Sequence, residues 1–313
     1  MSEICTCGAG ILNLGAPVCQ ELLGVARKLV FVSIYADDGT QNRITLASTF
    51  GSAEYVALVN NADRSKRWYP SQVLDNVDMP MADPNYETME SDEKYFVSNG
   101  LRTLKASIMK QSAVMLGKLN SIRCNSDVGI YIINTENGIE GEVSSDGLYL
   151  EPIKINTGAF YAMLERAKDK TLQKIILNLE FSRLVNEANL ANLTVTELGF
   201  SALAIDSLLD VNAVVSGEST TGFTVALKLD YGTAKTKIPV TGLLVTDFKS
   251  YSTAVAEKVR NVTTAADVAI TSVTEVSDGV YTFVFSAQTA ADVIKVDLIK
   301  TGYEHTTISA TLA

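Results

Sequence analysis

The stretch that most limits how this chain can fold is Leu148–Val185, LYLEPIKINTGAFYAMLERAKDKTLQKIILNLEFSRLV. Within it Tyr149, Glu151, Ile153 and Ile155 alternate with Leu150, Pro152, Lys154 and Asn156. Ile175, Leu177, Leu179 and Phe181 alternate in the same way with Ile176, Asn178, Glu180 and Ser182. Side chains of a strand point to opposite faces with a period of two, so this spacing predicts sheet strands with one buried face rather than a helix. The charged run Arg166-Ala-Lys-Asp-Lys170 separates the strands as a solvated turn.

The flanking sequence carries the same β signal. Lys28–Tyr35 (KLVFVSIY) predicts a strand, followed by a turn at Asp38-Gly39 and a short return strand over Arg43–Thr49. Val128–Ile133 (VGIYII) predicts a nearly continuous apolar strand, and Asn137-Gly138 and Asp146-Gly147 flank a strand over Ile139–Val143. Lys94–Val97 and Leu101–Met109 read as strands paired about a two-residue turn at Asn99-Gly100. Two short helices interrupt the pattern. One runs from Gly51 to Asn61 with Ser52 as its N-cap and an apolar face of Tyr55, Val56 and Val59. The other spans Gln111–Ser121, where Val114, Met115, Leu119 and Ile122 form a packing stripe. After Val185, NEANLANLT reads as a short helix and linker.

From Thr196 onward the chain is Thr-rich with a single proline, Pro239. Gly222–Leu229, Ile238–Val245, Val268–Val276 and Val280–Ser286 alternate strongly, and Asp278-Gly279 joins the last two. Short strands at this spacing indicate an immunoglobulin-like β-sandwich, here without the Cys-Trp-Cys signature of antibody domains. The expected organisation is an arm over 1–26, a mainly β sandwich or barrel meander with one or two short helices over 27–195, and an Ig-like β-sandwich over 196–313.

The net charge of −10 is spread over both halves and no Lys/Arg cluster is large enough to neutralise several phosphates, which argues against binding nucleic acid by contact. The cluster Arg64, Lys66, Arg67, Trp68, Tyr69 is the one basic and aromatic run, and it reads better as a loop anchored by Trp68 than as a base-stacking surface. The acidic run over 75–93 lacks the EF-hand spacing and reads as a solvated loop. Cys5, Cys7, Cys19 and Cys124 lack the C-x₂-C pairing of zinc ribbons and are expected to be thiols or a local disulfide. Glu3 and the lack of an early basic segment argue against a signal peptide, and no apolar run reaches membrane-helix length. His305 is the only histidine and lies in the polar run YEHTT, where a surface residue is expected. No nucleophile elbow, Walker loop, zincin or dinucleotide motif occurs. Asn192-Leu-Thr and Asn261-Val-Thr match the glycosylation pattern. The reading is therefore non-enzymatic, with no catalytic, cofactor-binding or metal residues.

Taken in order, KLVFVSIYADDGTQN, WYPSQVLDNVDMPMADP, KYFVSNGLRTLKASI, MLGKLNSIRC, VGIYIINTENGIEGE, LYLEPIKINTGAFYAML and DKTLQKIILNLEFS resemble virion structural proteins of tailed phages infecting Bacteroidetes. DYGTAKTKIPVTGLLVTDF is similar to the Ig-like domain that often follows in that family. The resemblance spans most of residues 25–190 and implies a tail tube subunit. Such a subunit pairs its sheet edges with those of neighbouring copies into rings, expected as hexamers, that stack into an acidic-walled conduit. Genomic DNA would pass through without specific binding, and long loops such as 62–93 would connect rings. The implied partners are further copies and other tail proteins, with no membrane. The location is the virion tail, assembled in the host cytoplasm. A capsid decoration or neck protein, or a surface adhesion module, is the alternative.

Overall fold

The computed structural model describes residues 23–313. Most of the expected arm, with Cys5, Cys7 and Cys19, lies outside the described residues. The protein is mainly β, with few and short helices. It divides into two compact units, the first comprising the described residues up to Tyr55 with Pro70–Ile205, the second Val56–Tyr69 with Asp206–Ala313.

The first unit is built around the strand Val128–Asn134, every residue of which is buried. It pairs antiparallel with Ala26–Ser33 on one side, where Phe31 faces Ile130 in register. On its other side it pairs with Ile139–Val143 and then with Ile153–Lys154. Tyr149–Glu151 continues the sheet from Ile139–Val143, and Ile44–Thr45 follows it. A run with both faces buried needs apolar side chains on both, which explains why VGIYII shows no alternation.

A second antiparallel sheet has the order Tyr161–Glu165, Lys174–Glu180, Thr103–Met109, Asp75–Asp78. Its inner face follows directly from the period of two. Ile175, Leu177 and Leu179 stand opposite Ile108, Ala106 and Leu104, and all six are buried. Each such Leu or Ile side chain removed from water contributes about 1.5–3 kcal/mol. The two sheets meet at a corner. Ile155 bridges to Phe181, Asn156 N–H donates to Glu180 O at 2.8 Å, and Ser182 N–H donates to Lys154 O at 2.8 Å. Beside it Phe31 and Phe160 pack edge to face, with ring centroids 5.9 Å apart.

The Asn99-Gly100 hairpin does not form. Lys94–Ser98 pairs instead with Asn85–Thr88, so the hairpin turns at Met89–Glu93, where Asp92 takes φ 64°. Asn99-Gly100 lies at the foot of this hairpin, where a Cβ on Gly100 would come within 1.7 Å of Ala82 O. Glycine is needed there for close backbone approach rather than for a turn. The acidic run therefore holds two strands, Asp75–Asp78 and Asn85–Thr88, rather than one loop. The segment expected as a helix and linker forms a 3₁₀ turn, Glu187–Asn189, and then a strand, Leu190–Leu193, paired with Ile139–Val143. Thr194 then caps the helix Val195–Leu198 with Glu197 in a reciprocal box, and Gly199 ends it at φ 70°. The fully buried Lys28 holds the following segment to this unit by donating from Nζ to Ile205 O at 2.8 Å and Leu203 O at 3.2 Å.

The helix expected over 51–61 spans Ser52–Val59, and Gly51 N–H donates to the Glu54 carboxylate at 3.0 Å, so the acidic side chain closes its first turn. The second helix spans Ala113–Asn120, with only Leu119 of its stripe fully buried.

In the second unit Val211–Ser219, Gly222–Gly232, Val280–Phe285 and the distal part of Ala266–Ser277 form one antiparallel sheet. Phe248–Ser250, Val293–Leu298 and Thr306–Thr311 form the other, with Lys258–Asn261 beside Val293–Leu298. The first residues of Ala266–Ser277 pair with Lys258–Asn261, so this long strand joins both sheets. A parallel bridge from Leu209 to Tyr303 links the two terminal strands. The two sheets make a β-sandwich. Its core carries stacked Phe223 and Phe283 at 4.8 Å, with Phe248 edge-on to Phe283 at 4.7 Å, where antibody domains place a tryptophan and a disulfide. Of the strand expected over 238–245 only Lys237–Pro239 is extended and paired.

Gly117 lies within the helix Ala113–Asn120 and has nothing within 4 Å of where a Cβ would stand. Gly117→Ala should therefore raise stability by about 0.5–1 kcal/mol in urea denaturation. Gly100→Ala should lower it by about 1–3 kcal/mol, because the new methyl meets backbone that cannot move aside cheaply.

Candidate assembly surface

The hairpin of Asn85–Thr88 and Lys94–Ser98 is exposed along nearly its whole length. Tyr86, Tyr95, Phe96 and Val97 are each about half exposed, as is Met89 at its turn. Tyr86 stands opposite Phe96 in register, and the rings pack edge to face at 6.2 Å. An isolated two-stranded hairpin is marginal in water, and a concentration of exposed aromatic and aliphatic side chains marks a contact surface. Among the described residues neither strand of this hairpin pairs on its outer edge.

The foot of the hairpin is firmly held. Met81 bridges to Arg102, and Ala82 N–H donates to Leu101 O at 3.0 Å. The Arg102 guanidinium makes a two-pronged contact with Glu187, Nε to Oε1 at 2.7 Å and Nη2 to Oε2 at 2.8 Å, and Nη1 donates to Met79 O at 3.0 Å. The hydrogen bond from Arg102 holds the Glu187 carboxyl below its ordinary value. No sequence signal marked Arg102, because its partner lies 85 residues away.

The outer edges of the four-stranded sheet differ from that hairpin. On Tyr161–Glu165 the Ala162 N–H is taken by Asn120 Oδ1 at 3.2 Å, so the end of the neighbouring helix occupies that edge. At the opposite side Asp75–Asp78 has broken register and Asn76 at φ 51°. Both are the blunted edges that prevent strand addition. The loop region 62–93 does not act as one element, since residues up to Tyr69 group with the second unit.

The basic-aromatic run is held by partners within its own unit. Trp68 and Arg67 are buried. Arg67 Nη1 and Arg64 Nη2 both donate to Glu304 Oε1, at 2.9 and 2.7 Å, and Arg67 Nε donates to Asn61 O at 2.7 Å. Tyr69 OH donates to Arg64 O at 3.0 Å. Burial opposes ionisation of Glu304, but the hydrogen bonds from Arg67 and Arg64 prevail and hold its carboxyl at about 2. His305, expected as a surface residue, lies with Nε2 3.2 Å from Asp297 Oδ2 and is partly exposed. Thr307 donates to the other Asp297 oxygen at 2.7 Å, so that carboxylate ties strands together rather than orienting a base. Cys124 is exposed and unbonded. Among the described residues no group of three or more His, Cys, Asp or Glu is arranged to hold a metal ion, and no helix is long and apolar enough to cross a membrane. Asn261, one of the two glycosylation matches, is fully buried, with Nδ2 donating to Asp292 and Gln288, so the folded unit offers no acceptor there.

On the first unit, the face of the four-stranded sheet beside Phe160 carries an open groove of about 530 Å³, lined in part by Lys105, Arg123, Tyr161, Asn178 and Glu180. No protein-family model matches the chain, and no curated protein matches it at a significant level.

Glu304 has a folded-state carboxyl at about 2, below its ordinary value. Its stabilising contribution is therefore complete above the ordinary carboxylate range near pH 4.3 and is lost as the pH falls toward 2. Glu304→Gln should remove the acid-side part of this pH dependence in denaturant titrations. Arg67→Ala, at the buried partner, should cost more than Arg64→Ala, at the exposed one, with about 2 kcal/mol expected for the former.

Proposed function

We propose that this chain is a non-enzymatic virion structural protein, a tail tube subunit that self-assembles into rings and stacked rings. The observation that carries this reading is the exposed hairpin at 85–98, with half-exposed Tyr86, Tyr95, Phe96 and Val97 on strands whose outer edges are unpaired. In a monomer such a feature is an aggregation liability, whereas in a repeating assembly it becomes the joint. Blunting of the four-stranded sheet's edges favours joining through this hairpin and not through those edges. The overall charge of −10 supports a conduit wall that repels DNA, and the Ig-like sandwich suits an outward appendage.

A second reading, a capsid decoration or an adhesion module, is favoured by one surface of the Ig-like unit. Val214, Ala226 and Val280 form one cross-strand row, and Ser216, Thr224, Thr282 and Thr274 the next, giving an uncharged patch on the sheet.

Negative-stain electron microscopy of the concentrated full-length protein separates the two. Rings or hollow tubes are expected, and the double variant Tyr86→Ser, Phe96→Ser should reduce assembly at least about tenfold while leaving the thermal unfolding of the body unchanged. Wild-type protein that stays a compact monomer or trimer at all concentrations would transfer the assignment to decoration or adhesion.

A further inference from the structure

The groove on the four-stranded sheet holds two cations, and the tip of the hairpin carries carboxylates. Lys105 and Arg123 line the groove, and neither makes an ion pair or side-chain hydrogen bond among the described residues. Around them stand Tyr161, 42% exposed, and the amide of Asn178. Two carboxylates are nearby. Glu180 accepts from Asn156 Nδ2 at 3.1 Å, and Asp78 stands across from Lys105 on the next strand. The hairpin turn, Met89-Glu90-Ser91-Asp92-Glu93, carries three carboxylates and an exposed methionine. Among the described residues only Glu93 of these three has a side-chain partner, accepting from Tyr95 OH at 3.2 Å.

We infer that the groove holding Lys105 and Arg123 is the receptor for the acidic hairpin tip, residues 89–93, of a second copy of this chain. The groove is open and the tip exposed in the chain itself, so the contact is not made within one copy. A volume of about 530 Å³ lies within the ~300–1,000 Å³ typical of side-chain and ligand pockets, enough for a turn carrying two or three side chains. In a protein with a net charge of −10, copies repel one another at long range, so two cations without a partner among the described residues of their own copy give association both its register and its attraction. The aromatic flanks of the hairpin supply apolar contact and the carboxylates select the site. This inference rests on self-assembly through the hairpin and names its receptor.

The test is charge exchange in the full-length protein, read by sedimentation. Lys105→Glu with Arg123→Glu should weaken self-association by at least about tenfold, as should Glu90→Lys with Asp92→Lys and Glu93→Lys. Combining all five should restore association to near the wild-type level. Carbodiimide coupling of mixed isotope-labelled and unlabelled wild-type protein gives a second measurement that needs no variant, with Lys105 expected to join Glu90, Asp92 or Glu93 of another copy. Rings or tubes that form regardless of these charges, without that cross-link, overturn the inference and leave the tube reading standing. Charge-dependent association with the cross-link, ending at a closed dimer, supports the inference and overturns the tube. A wild-type monomer at every concentration overturns both.

Discussion

Every backbone amide in a sheet has to find an acceptor, and the edges are where a β protein has to solve this. In the first unit the edge at Ala162 is closed by a side chain, Asn120 Oδ1, from a helix end. The edge at Asp75–Asp78 is broken by Asn76 in a left-handed conformation. The hairpin at 85–98 differs: Tyr86, Tyr95, Phe96 and Val97 are about half exposed, and among the described residues neither strand pairs on its outer edge. Of these edges, those of the four-stranded sheet are blunted, and those of the hairpin are unpaired among the described residues.

The ion cluster at Glu304 has a different role. Arg64 and Arg67 come from a segment, Val56–Tyr69, that groups with residues 206–313 although it lies far from them in sequence. Residues 206–313 therefore lack part of their own unit when taken as a continuous piece of chain. A partly buried carboxylate shared by two guanidiniums is costly to separate, because removing one member leaves the others charged and poorly solvated. The basic run, read from the sequence as a loop anchored by Trp68, has two of its three cations engaged by Glu304 within the unit.

Much of the framework was legible in the chain. Ile175, Leu177, Leu179 and Phe181 announced a one-sided strand, and all four are buried. VGIYII announced a nearly continuous apolar strand, which the structure buries on both faces, and Asn137, with its φ of 65°, turns where Asn-Gly indicated. The misreadings share a cause. Asn99-Gly100 has the local chemistry of a hairpin, yet Gly100 is needed for the approach of Ala82, a residue too distant to enter a two-residue turn rule. Leu190–Leu193 has no strand signal of its own and becomes a strand because Ile139–Val143 offers it an edge. Of the candidate surface, the aromatic residues were visible in KYFVSNG, but their exposure was not, since alternation alone does not say which face is covered.

The sequence by itself determined the secondary-structure class, the mainly β fold with a second sandwich, the absence of familiar catalytic motifs and the general acidity. These depend on periods of two, turn residues and composition, all of which are local or additive. Only the tertiary structure decided which strands became neighbours, that Arg67 meets Glu304 and Arg102 meets Glu187, which sheet edges are closed, and that the hairpin at 85–98 stands free with Lys105 and Arg123 unengaged elsewhere. Pairings between residues tens to hundreds of positions apart are set by the packing of whole sheets, and no local pattern carries that information.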